Sequence, residues 1–370
     1  MTTLTWEERV ELAQRFAPRL VLFPERSEFG RPTIKGGTGD YHPRTIDLLI
    51  DYAKLYPGTL DLLLHLNFGP MFDYNQRTPA TVKGMAASTS TADQLRLIGP
   101  PLPKADAAWR KYFEILDAVD ATGRSGRERY PVTTYAHVIT RAEAIEACAR
   151  VKLSVDPLHV GRPNFDPASA QSDDVAVQYW FCYYFDDWYN VHEGDWEGIT
   201  VFLKRVGTDW QPQGASYFAH ENGSRRHWED VQVVEGTHPL VFSASGSHAS
   251  YFQYTPDGHE TSIQGAIVPL LKLKLRIHIE SNHYDYVADE KVYPPLTPIV
   301  EVLPDPIGPA QPDDPAWRHA QWLRYPGAWG VREIGKVITG GPIGPAYKGL
   351  KWHHPFAWSE EQCWPDYLVY

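Results

Sequence analysis

Apolar positions recur along this chain with two periods, helical over roughly the first 150 residues and alternating from about residue 175 onward. Near the start, Trp6, Val10, Ala13 and Ala17 fall on one helical face behind Thr5 and Glu8, a capping-box pair. Pro18 ends that helix, and Leu20 to Phe23 reads as a short buried strand. Further helices are predicted over about Thr45 to Leu55, closed by Pro57 and Gly58, and over Ala105 to Val119, where Trp109, Tyr112, Phe113 and Leu116 share helical spacing. A strand-like VTTYAHVIT follows, and Thr140 with Glu143 forms a second capping box that opens a short helix through Ala149.

From Val175 the texture becomes that of strands separated by Gly, Asn, Asp and Pro turns. The runs are Val175 to Phe185, Trp196 to Leu203, Ala215 to Ala219, Val231 to Val234, Leu240 to Ala244, Ala266 to Ile279 and Ile299 to Leu303. Closely spaced strands without intervening helices predict a mainly β protein: an antiparallel β-sandwich, jelly-roll-like, with N-terminal helical decoration. Pro304 to Pro315 reads as a stiff connector. The tail after it is rich in Trp but too rich in Gly and Pro for regular structure, and is expected to pack back as an irregular strap. This divides the chain into 1–150, a mixed N-terminal region; 151–303, the sandwich core with the site; and 304–370, the strap, the three together forming one domain or two lobes.

Composition narrows the functional classes. The formal net charge of −11 disfavours nucleic acid, whose binding needs a basic footprint. Three cysteines, Cys148, Cys182 and Cys363, supply neither a disulfide framework nor a zinc knuckle. The acidic, amphipathic start lacks the features of a secretory signal, and no apolar stretch is long enough to span a bilayer, which points to a cytoplasmic protein. Aromatic residues are the outlier, with 13 Trp and 21 Tyr. They suit a large core and also the walls of sugar or lipid-headgroup sites.

The chemistry concentrates in YYFDDWYNVHEGDWEGITVFL, Tyr183 to Leu203. Read as a strand from Asp195, the alternation puts Asp195 and Glu197 on one face with Ile199, Val201 and Leu203, and Trp196, Gly198, Thr200 and Phe202 on the other. Two carboxylates thus continue an aliphatic stripe that faces inward, and desolvating them together is costly unless a cation, a basic side chain or a shared proton compensates. His192 lies on the preceding turn, with Asp186, Asp187 and Asn190 in the same loop. A carboxylate-dominated group with one imidazole suits a hard divalent ion, calcium, magnesium or manganese, better than zinc. The candidate metal ligands are His192, Asp195, Glu197 and Asp187. The alternatives are a metal-free acid pair and a strand end that meets solvent or an arginine.

Other polar residues cluster at strand ends, where sites are usually built. Tyr217, His220 and Glu221 close one strand, and Ser245, Ser247, His248 and Tyr251 surround a glycine turn. His220, His248 and Glu221 are candidate general acids or bases; Trp188, Trp196, Tyr217, Ser247 and Tyr251 are candidate substrate contacts. Ser247 and His248 are adjacent and point apart on a strand, and SASGSH is not a nucleophile elbow, which weighs against a serine hydrolase. KGGTGD, Lys35 to Asp40, lacks phosphate-loop spacing. His353 and His354 fit a packed strap.

AQRFAPRLVLFPE, DYHPR, the Gln178 to Leu203 segment, YFAHENG, HPLVFSASGSHASYF and the closing WG…GP…GP…W together resemble the vacuolar protein sorting-associated protein sixty-two family. That likeness carries no trafficking role here. HEGDWE also resembles the G-H-R-H-D-W-E heptapeptide of the necrosis-inducing plant-pathogen toxins, which implies a β-sandwich that binds a divalent cation and recognises sphingolipid sugar headgroups. On that motif His192 matches the first histidine, Asp195 the aspartate and Glu197 the glutamate, while Gly194 replaces the second histidine and Val191 the leading glycine.

Two functions follow as expectations. One is a metal-assisted enzyme acting on a small oxygen-rich molecule, sugar-, phosphate- or polyol-bearing. The other is a non-catalytic, cation-dependent module that binds glycan or a lipid headgroup. A purely structural cation is the third alternative.

Overall fold

The computed structural model describes residues 4–25, 40–56, 78–88, 90, 93–97, 105–151, 174–188, 192–220, 222–261, 264–270, 273–278, 283–305, 319–330 and 341–365. Its centre is a seven-stranded sheet in the order Ile299–Leu303, Thr133–Thr140, Val175–Asp186, His192–Val206, Asp209–Ala219, Asn222–His227 and Cys363–Pro365. The inner pairings are antiparallel, and the strand at each edge is added in parallel. A four-stranded sheet, in which His238–Ser243 pairs with Arg19–Val21, Val233–Val234 and Ser250–Tyr251, lies against it. Tyr217 Oη donates to the Leu240 carbonyl and the Tyr183 hydroxyl meets Ser243 Oγ across that interface.

Among the described residues the protein is therefore strand-rich in several mixed sheets, none of them closed, rather than wholly antiparallel as expected. The pairing pattern depends on segments far apart in sequence, which local alternation does not encode. The large sheet takes strands from all three of the segments expected from the sequence: Thr133–Thr140, the four from Val175 to His227 together with Ile299–Leu303, and Cys363–Pro365.

Local signals translate well where a cap or a period is strong. The first helix spans Trp6–Arg15 with the reciprocal Thr5–Glu8 capping box formed. Ala105–Asp117 is helical, and the Thr140–Glu143 box opens Arg141–Val151. Three expectations need correction. The helix expected over Thr45 to Leu55 is Asp47–Tyr52, and Lys54–Tyr56 is a strand instead, because it pairs with Gln94–Arg96. The run Ala266 to Ile279 is a hairpin, Gln264–Leu270 with Leu273–His278. The C-terminal tail is not irregular throughout: Leu350–His353 and Pro355–Gln362 are helical, the second begun by Pro355 at its first position and capped by the His354 ring, which accepts from the Ala357 N–H. Most of the Pro304 to Pro315 connector and of KGGTGD lies outside the described residues.

Both faces of the His192–Val206 strand are buried over residues 192–201. One carries Trp196, which stacks on Trp322 with 5.4 Å between ring centroids and meets Trp329 edge-on at 5.2 Å, both from the C-terminal segment. The other carries Asp195, opposite Tyr183, and Glu197, opposite Phe181, beneath the four-stranded sheet.

Candidate metal centre and its histidines

Asp186 and His192 are paired residues at the ends of adjacent strands, and Asp195 follows three residues after His192, past the left-handed Gly194. One ligand atom from each of the three lies within 4.8 Å of the others, and all three residues are buried. Ligands of one hard ion, each about 2.0–2.6 Å from it, are separated by such distances.

The His192 ring is fixed by its neighbour. Nδ1 lies 2.8 Å from the Gly194 carbonyl, which only accepts, so Nδ1 carries the proton and Nε2 presents a lone pair. That Nε2 stands 3.8 Å from Asp186 Oδ2, too far for a hydrogen bond and suited to an ion between them. Gly194 makes the arrangement possible. Its φ is +67°, and a Cβ there would meet the Trp329 carbonyl at 2.4 Å, so a second histidine at this position, as in the toxin heptapeptide, does not fit this backbone.

The electrostatics want a cation. Burial, followed by the charge of Asp195, pushes Asp186 well above the usual carboxylate range. Burial also raises Asp195, but the hydrogen bond from His248 leads the interactions that outweigh it and hold Asp195 low. Burial keeps the His192 pKa below its ordinary value, so the ring is neutral and able to coordinate. Glu197, two residues along, is pushed up to about 8 by burial and by Asp195. Its Oε2 is buried with no hydrogen-bond partner among the described residues.

Two imidazoles flank this group, each anchored to a carboxylate. His248 Nδ1 donates to Asp195 Oδ2 at 3.0 Å, and the ring stacks on Tyr183 with centroids 3.9 Å apart. Its Nε2 is buried and unpartnered among the described residues. His220 Nε2 donates to Asp285 Oδ2 at 3.0 Å, and the ring stacks on Trp188 at 4.7 Å. Burial lowers the His220 pKa, but the charge of Asp285 and its hydrogen bond more than offset this and raise it. His220 and His248 share a further property. With φ of +56° each, they are two of three non-glycine residues in the left-handed region among the described residues. Such backbone costs energy and concentrates at functional positions.

The predicted residues thus fall into distinct places. His192, Asp195, Glu197, His220, Ser247, His248 and Tyr251 gather around one buried polar region. Ser247 Oγ and Tyr251 Oη both donate to Asp285, at 2.8 and 2.7 Å, so Ser247 and His248 bind different carboxylates. Asp187 is buried beside Asp186 but is not in the three-ligand group, which takes Asp186 in its place, and Glu197 is outside that group too. Trp196 is on the opposite face of the strand, and Tyr217 is fully buried with its hydroxyl on Leu240, so neither lines the carboxylates. Glu221 lies outside the described residues.

Sequence reasoning missed Asp285, which receives His220, Ser247 and Tyr251 from a strand more than thirty residues further along the chain. It also missed Lys348 and Lys351, whose ammonium groups reach the carbonyls of Trp196 and His220. No local pattern around these residues signals the contacts.

No protein-family model matches the chain, and no curated protein does. The resemblance to the vacuolar protein sorting-associated family therefore finds no support there. Among solved structures, one match is the crystal structure of necrosis and ethylene inducing protein 2 from the causal agent of cocoa's witches' broom disease. It is 17% identical, covers 37% of this chain and 52% of that one, and has a TM-score of 0.21. This chain spans about half the length of that protein. Among the described residues, no helix is long and apolar enough to cross a membrane.

Proposed function

We propose that this protein is a divalent-cation-dependent enzyme that performs acid–base chemistry on a small oxygen-rich molecule, sugar-, phosphate- or polyol-bearing. Asp186, His192 and Asp195 would hold the ion, and their mainly carboxylate donor set favours calcium, magnesium or manganese. When bound there, such an ion polarises a ligand oxygen or lowers the pKa of bound water.

The observation that carries the enzymatic reading is His248. Asp195 fixes its Nδ1 proton, so Nε2 is a lone pair held in one direction, buried and without a partner among the described residues. A structural ion needs no such base, and leaving one unsatisfied costs about 1–3 kcal/mol. His248 is the general base in this reading. His220, held towards its charged form by Asp285, is the general acid. A binding module would use the aromatic residues as stacking platforms, but Trp188 is stacked on His220 and Trp196 on Trp322.

Elemental analysis of protein purified without chelator tests the ion. About one divalent ion per chain is expected, lost in Asp186→Asn and in His192→Ala; absence of any ion from the wild-type protein ends the proposal. Turnover is then sought on a panel of sugar, phosphate and polyol esters with and without chelator. His248→Gln should retain the ion and lose turnover by ~100-fold or more. Ion-dependent glycan binding that persists in His248→Gln, with no turnover on the panel, would favour the binding module.

A further inference from the structure

We infer that Lys351, a buried lysine of the C-terminal segment, is the positioning residue that holds His220 in its working orientation. In its role for catalysis this rests on the reading of His220 as the general acid; the positioning itself does not.

His220 is the residue at which the Asp209–Ala219 strand ends, and its backbone is left-handed. A β-strand does not impose that conformation, so something must hold it. Lys351 Nζ donates to the His220 carbonyl at 3.4 Å. The lysine is 7% exposed, and its ammonium sits over the rings of Phe218 and Trp358, at 4.8 and 4.6 Å from their centroids. Aromatic faces attract a cation without neutralising it, so they give the ammonium a seat and leave its protons for a carbonyl. The two rings come from different elements: Phe218 from the strand that ends at His220, and Trp358 from the Pro355–Gln362 helix.

The segment that carries Lys351 is itself keyed to the large sheet. The Lys351 carbonyl accepts from Gln178 Nε2, and the Gln178 carbonyl oxygen of the same side chain meets His137 Nδ1 at 2.8 Å. The His137 ring stacks on Trp352, next to Lys351, with centroids 4.0 Å apart and an interplanar angle of 2°. A chain of fixed contacts therefore runs from the middle of the sheet through Lys351 to the backbone of His220. At its end, His220 Nε2 is placed 3.0 Å from Asp285.

The groups facing His220 are Asp285 from the His283–Asp285 strand, Glu197 and Asp195 from His192–Val206, Trp188, and Lys351 through the backbone. This makes the direction of a titration shift diagnostic. If Lys351 acted only as a nearby positive charge, its removal would raise the His220 pKa. If it positions the ring, its removal loosens the contact with Asp285, desolvation prevails, and the pKa falls.

The test is a pH titration of histidine-labelled, metal-free protein by NMR, with the His220 resonance assigned from His220→Gln. Lys351→Met keeps the apolar stem on its two rings and removes the donor. It should lower the His220 pKa by ~1 unit, and Lys351→Arg should recover most of the shift. His238, on the four-stranded sheet, serves as the internal control. An upward shift, or none, overturns the inference. If Lys351→Met does not fold, Trp358→Leu removes one ring from beneath the ammonium and carries the same expected direction. Because the measurement uses metal-free protein and no substrate, its outcome is independent of whether an ion is ever found.

Discussion

The molecule buries two groups of charges, and they are resolved in opposite ways. In the first, Glu25 accepts from Arg44, Arg127 and Tyr112, at 2.5 Å from Arg44 and 2.8 Å from Arg127, while Arg44 also reaches the Tyr130 carbonyl at 2.7 Å. The carboxylate is surrounded by donors, and although burial raises its pKa, His42 and Arg44 more than offset this and leave it low. In the second, Asp186, Asp195 and Glu197 stand together with no arginine acting on them among the described residues, and two of the three are pushed upward. The first group joins an N-terminal segment to two helices and is complete. The second is a surplus of acid waiting for positive charge. Buried charge alone does not mark a site; uncompensated buried charge does.

The largest effect expected from breaking this contrast is at Arg44. Arg44→Met leaves Glu25 and Tyr112 short of a buried partner and should cost about 3–5 kcal/mol in chemical denaturation. Asp186→Asn, which removes charge from the incomplete group, should leave metal-free stability unchanged or raised. Equal losses in the two variants would abolish the distinction.

Next in size is the response to cations. Calcium, magnesium or manganese at a hundredfold excess over its dissociation constant should stabilise the wild-type protein by about 2.7 kcal/mol and Asp186→Asn not at all. A melting temperature indifferent to all three ions would remove the reason for treating the second group as a site.

The pH dependence sharpens the comparison because the two signs are opposed. The folded pKa of Glu25 lies below its ordinary 4.5, so its contribution to stability is present above 4.5 and lost as pH falls through the lower folded value. The folded pKa of Glu197 lies above 4.5, at about 8, so its contribution is present below 4.5 and lost as pH rises towards 8. Metal-free protein should therefore lose stability between these values, and Glu197→Gln should flatten that fall. A bound cation should flatten it too. A fall that persists unchanged in Glu197→Gln assigns it to another group.

The smallest effect concerns geometry rather than charge. Gly194→Ala places a Cβ against the Trp329 carbonyl on left-handed backbone and should cost more than ~1 kcal/mol, with the ion lost as the His192 ring moves. Gly207→Ala has left-handed backbone but open space around it, and should cost less.

How much of this was legible beforehand varies by residue. The Thr5–Glu8 and Thr140–Glu143 caps were readable because each is a contact between residues three apart. The sharing of one face by Asp195 and Glu197 was readable from alternation. That the opposite face is buried as well was not, because the Trp322 and Trp329 that cover it arrive from more than a hundred residues away. Asp187 and Asp186 are neighbours of one type, and only the strand pairing of Asp186 with His192 chooses between them.

The sequence by itself determined where the unusual chemistry lies and that acids there continue an apolar stripe, since both properties belong to neighbours along one strand. The tertiary structure alone decided which acid stands beside His192, that Asp285 gathers His220, Ser247 and Tyr251, and that Lys351 reaches the backbone of His220. Apart from Asp186 and His192, which meet only through the pairing of their two strands, those contacts join residues separated by tens to more than a hundred positions. Their energy depends on distance and on exclusion of water, neither of which exists until the sheets have closed over them.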